Sequence, residues 1–129
     1  MPPNSRSFEQ IKTAYDESPD AAMLDNTASR NSEDDTLLHL AAFRGNEADV
    51  RDLISLGAVV NARGDLGMTA LHYAAIGGHV AVAECLLALG ADRSLPDEFG
   101  QTPAKVAALA SHANLAGLLR PSRRRQRRR

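Results

Sequence analysis

The chain has 129 residues, 43% of them apolar, which is room for a single elongated core. Its one cysteine, Cys85, excludes an intramolecular disulfide, and no apolar run is long enough to cross a bilayer or to serve as a signal-peptide core. The formal charge of −1 hides an asymmetry: seven of the fifteen basic residues lie in 120–129, and the 119 residues before them carry eight basic and sixteen acidic side chains.

Residues 1–7, with Pro2-Pro3, are expected to be flexible. Phe8, Ile11, Ala14 and Tyr15 are at helical spacing and predict a first helix. Ser18-Pro19-Asp20 is a helix-start signal, after which Ala21, Ala22, Met23 and Leu24 form a short second helix. Residues 8–32 thus read as a degenerate repeat or cap, and 31–35 as a polar loop.

From there one pattern recurs. Thr36, Thr69 and Thr102 are spaced by 33 residues and open the runs Thr36-Leu37-Leu38-His39-Leu40-Ala41-Ala42, Thr69-Ala70-Leu71-His72-Tyr73-Ala74-Ala75 and Thr102-Pro103-Ala104-Lys105-Val106-Ala107-Ala108. A fixed period of this length marks a solenoid in which each unit buries its apolar face against a neighbour. In the second unit Gly67 gives a permissive turn and Thr69 caps a helix. The small Ala74 and Ala75 admit a close neighbour, and Gly77-Gly78 breaks the helix. Val82, Leu86, Leu87 and Leu89 then define a second helix that Gly90 stops, with Cys85 on its inward side. The unit is helix, tight turn, helix, loop. The third unit ends at Leu118-Leu119-Arg120, where Pro121 blocks further helix, so it reads as a C-terminal cap. Residues 121–129 are a self-repelling basic tail, expected to be disordered.

These residues closely resemble the ankyrin repeat. The second unit carries Gly67, Thr69, Leu71, His72, Ala74, Ala75, Gly78, His79, Leu86, Leu87, Gly90, Ala91 and Asp92 of the family pattern, and the first carries Thr36, Leu38, His39, Ala41, Ala42, Gly45, Leu53, Gly57, Ala58 and Asn61. The third is weaker, with Ser111 in place of glycine and Lys105 in place of histidine. The resemblance covers about 33–120, divided near 33–65, 66–98 and 99–120. It implies an all-α solenoid of stacked helix–turn–helix units with hairpin-like loops; separately, the chain is expected to be monomeric when alone. The resemblance also implies that His39 and His72 hydrogen-bond the adjoining loop. Asn61 matches a position that ankyrin repeats offer to asparaginyl hydroxylases, although Val59 stands where the usual acidic residue would be.

An enzyme is not expected. Equivalent histidines in neighbouring repeats lie roughly 8–10 Å apart, too far for one metal to bridge. The turns Gly64-Asp65-Leu66-Gly67 and Gly77-Gly78 lack the strand-to-helix setting of a phosphate loop, and the acidic residues are scattered. No cofactor is expected. The resemblance points instead to a protein partner held on the concave side, by inner helices and loop tips. Candidate contacts, picked by repeat phase, are Leu40, Phe43, Arg44, Arg63, Asp65, Met68, Tyr73, Ile76, Asp97, Phe99 and Gln101, with Asp35, Leu66, Glu98, Val106 and Leu109 at related positions. Leu40, Phe43, Tyr73 and Ile76 are expected to form an exposed apolar strip. The tail, with Arg123, Arg124, Arg125, Arg127, Arg128 and Arg129, resembles nuclear import signals and the arginine-rich motifs of RNA-binding proteins. Its expected partners are an import receptor or a nucleic acid, the alternative being a solvated tail that lies on the acidic body or binds polyanions weakly, and phosphorylation at Ser122 would weaken binding to polyanions. The readings to separate are an intracellular adaptor or inhibitor in cytoplasm or nucleus, a nucleic-acid-binding protein led by its tail, and a subunit of a larger assembly.

Overall fold

The computed structural model describes residues 7–13, 15, 27, 30 and 34–121. Among the described residues seven α-helices run in order: α1 (Phe8–Thr13), α2 (Leu37–Arg44), α3 (Glu47–Ser55), α4 (Ala70–Gly77), α5 (Val80–Ala88), α6 (Pro103–Leu109) and α7 (Ala113–Leu119). No β-strand occurs among the described residues. The second helix expected over 21–24 and the arginine tail lie outside them.

The threonines act where the pattern places them. Thr36, Thr69 and Thr102 are the N-caps of α2, α4 and α6, each in extended backbone. Thr69 and Thr102 accept the backbone N–H of His72 and Lys105, which satisfies one of the free donors in the first turn. Pro103 takes the first helical position of α6, where its missing N–H costs nothing. At the far ends, Gly45 and Gly78 adopt left-handed backbone, with φ of 78° and 72°. A Cβ on Gly78 would also lie 2.7 Å from the His112 ring, so both backbone and space call for glycine there. Ser111 occupies the equivalent place in the third repeat at φ 69°.

Each inner helix packs on its own outer helix: α2 on α3, α4 on α5 and α6 on α7. The inner helices also line up side by side, α2 on α4 and α4 on α6, and α3 packs on α5. The buried residues form columns at the repeat period. Ala41, Ala74 and Ala107 are fully buried, as are Leu53, Leu86 and Leu119. Small residues on the inner helices let backbones approach, and leucines on the outer helices fill the space behind them. Cys85 is buried in α5. At the C-terminal end the columns change: Ala42 and Ala75 are fully buried but Ala108 is exposed, and Lys105, Gly117 and Arg120 are exposed beside it.

The N-terminal end is closed differently. α1 packs on α3, with Ile11 and Tyr15 buried. The Tyr15 hydroxyl donates to Asp49 Oδ2 at 2.7 Å, and the Arg44 guanidinium lies 4.2 Å from the centre of the Tyr15 ring. Asp49 is buried at a position where the next two repeats carry Val82 and Leu115, so this end adds a polar contact to the apolar packing of Ile11 and Tyr15.

Candidate functional site

Two loops and the inner helices frame the face on which the sequence places its candidate contacts. In the first loop Gly64 N–H donates to the Met68 carbonyl and Gly67 N–H to the Gly64 carbonyl. In the second, Asp97 N–H donates to the Gln101 carbonyl, and the Asp97 carboxylate accepts the N–H groups of Phe99 and Gln101, both at 2.9 Å. The loops are also tied across repeats. Asp65 N–H donates to Asp35 Oδ1, and Glu98 N–H donates to the Leu66 carbonyl, each at 2.9 Å.

Histidines anchor these loops to the helices. His39 Nδ1 accepts the Thr36 N–H and its Nε2 reaches the Ala62 carbonyl; His72 does the same with Thr69 and Gln101. Since Nδ1 accepts, the proton belongs on Nε2, which donates to the loop carbonyl. Burial holds both rings below the ordinary histidine range, outweighing the loop carbonyls that favour the charged form. With both nitrogens of each ring engaged, neither is available as a base or ligand without breaking the loop. His79 Nε2 reaches the Phe43 carbonyl and His112 Nε2 the Ile76 carbonyl, fastening each helix–helix turn to the repeat before it.

Burial divides the candidate contacts. Phe43, Leu66, Phe99 and Leu109 are 52%, 44%, 68% and 62% exposed. Arg44 and Arg63 are exposed as well, while Leu40, Asp65, Met68, Ile76 and Gln101 are half-buried. Tyr73 and Asp97 are buried, which corrects the expectation that they are surface contacts. Tyr73 points its hydroxyl at both oxygens of the buried Asp35 and meets His39 and Phe43 edge-on, at ring separations of 5.6 and 6.0 Å. Asp97 is committed to its loop backbone. Asp35 and Val106 are buried too, so neither extends the surface. The apolar strip therefore runs through Phe43 and Ile76 without Tyr73 at its centre, and it continues to Leu109 and the loop tips. Leu66, Met68, Ile76, Phe99 and Leu109 border an open groove of about 370 Å³. The arginines at 123–125 and 127–129 lie outside the described residues.

Sequence reasoning missed the phenol–carboxylate pairs Tyr73–Asp35 and Tyr15–Asp49. A signal for the second was present: Asp49 breaks an otherwise apolar column. Nothing in the period marked Asp35, because the equivalent residues are Met68 and Gln101.

No helix among the described residues is long and apolar enough to cross a membrane. A search of curated proteins found none that matches the chain. The family model described as ankyrin repeats, in three copies, matches residues 38–126, which is most of the molecule. Repeats of this kind generally mediate contacts between proteins and are typically non-enzymatic. With three capped helix pairs in register and the family match across them, the chain belongs to the ankyrin-repeat family.

Proposed function

We propose that the protein is a non-enzymatic interaction module, an adaptor or inhibitor, that docks another protein on the concave face of its repeats. The observation that carries this reading is the exposed apolar row at the inner helices and loop tips: Phe43, Leu66, Phe99 and Leu109 are each more than two-fifths exposed, and the last three border one groove. Large apolar side chains held outside the core on a rigid frame supply the anchors of protein interfaces. The arginine tail acts as a nuclear address or as a second contact, and the proposed setting is intracellular, in cytoplasm or nucleus.

The test is capture of partners from nuclease-treated lysate by the full chain, by residues 1–121, and by a Phe43→Ala/Phe99→Ala variant. A partner that survives tail removal and is lost with the two phenylalanines supports the docking face. Enrichment that vanishes with the tail alone makes the arginine segment the binding element; capture of RNA or DNA by the full chain from lysate left without nuclease then favours a second reading, in which the Arg123–Arg129 run binds nucleic acid and the repeats organise it. Salt separates the two, because binding to phosphate falls steeply with ionic strength while an apolar interface changes little.

A further inference from the structure

We infer that the segment this face takes is cationic as well as apolar: a stretch of another protein with a basic side chain beside each large apolar one, read by the Asp65–Leu66 and Glu98–Phe99 steps of the two loops. The inference rests on the docking reading and deepens it by naming the partner's chemistry.

Both loop tips carry an acid followed by a large apolar residue, and the two pairs are one 33-residue period apart. Their register is fixed by backbone, since Glu98 N–H donates to the Leu66 carbonyl at 2.9 Å. The stem of Glu98 lies over Gly67, where a Cβ would come within 2.9 Å of its Cγ. The four acids of this region divide by role. The buried Asp35 and Asp97 carboxylates accept hydrogen bonds from the loop backbone. Those of Asp65 and Glu98 make no hydrogen bond or ion pair among the described residues, and they reach the surface. Among the described residues no lysine or arginine lines the groove, and Asp65 and Glu98 stand just outside it, each next in sequence to an apolar residue that does line it, Leu66 and Phe99. Arg63 stands two residues before Asp65, but the equivalent position before Glu98 is Pro96, so the Phe99 end carries its acid without a flanking base. Complementary charge on the partner would offset the acids and suppress acidic competitors.

The spacing adds a dimension. One step of the stack is roughly 8–10 Å, the distance between packed helices. An extended chain covers that in about three residues. The complementary segment therefore repeats its basic–apolar pair at about every third residue.

The test uses the full chain and fluorescein-labelled peptides of four Lys-Leu-Gln triplets, read by anisotropy, with Gln or Glu replacing each Lys as controls. The lysine peptide is expected to bind about tenfold more tightly than the glutamine peptide at low salt, the product of two exposed charge contacts of a few-fold each. An Asp65→Asn/Glu98→Gln variant should erase that advantage and leave the glutamine peptide unchanged. Leu66→Gly should weaken both peptides. It removes the apolar tip at a residue whose φ is 57°, a backbone that glycine adopts more easily than leucine, so the variant keeps its fold. Failure of the lysine peptide to bind overturns the inference, as does an advantage that survives the loss of both acids. A glutamate peptide that binds as well and depends on Leu66 and Phe99 overturns it too. If the peptides respond to Leu66→Gly and Phe99→Ser without preferring lysine, the docking face stands and only this chemistry fails. If none responds to either substitution, the docking reading itself falls.

Discussion

His39 and His72 each make a pair of hydrogen bonds that only the neutral ring can sustain, because Nδ1 accepts a backbone N–H while Nε2 donates to the next loop. Protonation would set two donors against each other at Nδ1. Burial lowers both pKa values below the ordinary 6.5. A base with a depressed folded-state pKa contributes stability that is present above its unfolded value and lost as pH falls through its folded one. The urea midpoint should therefore decrease as pH is lowered from above 6.5 into the folded-state range; a midpoint that stays level or rises would refute the neutral-ring assignment. The aromatic neighbours Phe43 and Tyr73 should part company under mutation. Tyr73→Phe removes the hydroxyl that Asp35 accepts from and should cost about 1–2 kcal/mol in urea unfolding. Phe43→Ala, at an exposed position, should leave the midpoint nearly unchanged. Ser111 gives a gain instead. A left-handed residue with a Cβ is strained, and against the extra chain entropy of glycine the Ser111→Gly change should stabilise by about 0.5–1 kcal/mol.

Helices differ in what holds them, and the third pair is the weakest. Ala104 stands where Leu38 and Leu71 fill the first two repeats, Lys105 replaces the histidine that ties a helix to its following loop, and Ala108 is uncovered. A repeat at the end of a stack is held by one neighbour only. Native-state hydrogen exchange should thus show lower protection for the amides of α6 and α7 than for those of α4 and α5; equal protection across both pairs would contradict a frayed end. The same comparison explains what could be read beforehand. The helix–turn–helix unit, the threonine caps and the small alanines that admit a close neighbour were legible, because each follows from a local rule repeated at a fixed period, whereas the loop-anchoring role of His39 and His72 followed from the resemblance to the ankyrin repeat. Burial of Tyr73 was not legible. Its phase matches Leu40 and Val106, yet its depth depends on a phenol–carboxylate contact with Asp35, a residue 38 positions away whose role no period encodes. Asp97 was misjudged for a similar reason: loop tips are usually wet, but this carboxylate folds back onto its own N–H groups. What survives as candidate surface is the part where phase and exposure agree.

Across the whole molecule, charge is the property that the repeats do not average out. Residues 1–121 hold sixteen acidic against nine basic side chains, and the remaining eight residues hold six arginines. A chain ending at residue 121 would carry a net of about −7 on a narrow stack, and self-repulsion of like charges disfavours the compact state. In the full chain the arginines reduce that net charge to −1 and remain tethered to the last repeat. At low ionic strength the Debye length is about 30 Å, comparable with the rise of three repeats, so the tail's charge is felt along the stack wherever it lies. At about 1 M salt the length is near 3 Å and that influence is gone. The full chain should accordingly unfold at a higher urea concentration than residues 1–121 in dilute buffer. The gap should close as salt is added, mostly through a rise in the midpoint of the shorter chain. A gap that persists at high salt would mean that the tail contributes through contacts rather than net charge. The absence of any gap in dilute buffer would mean that the acidic side chains are spread too thinly for their repulsion to matter, and the charge asymmetry would then bear on partners alone.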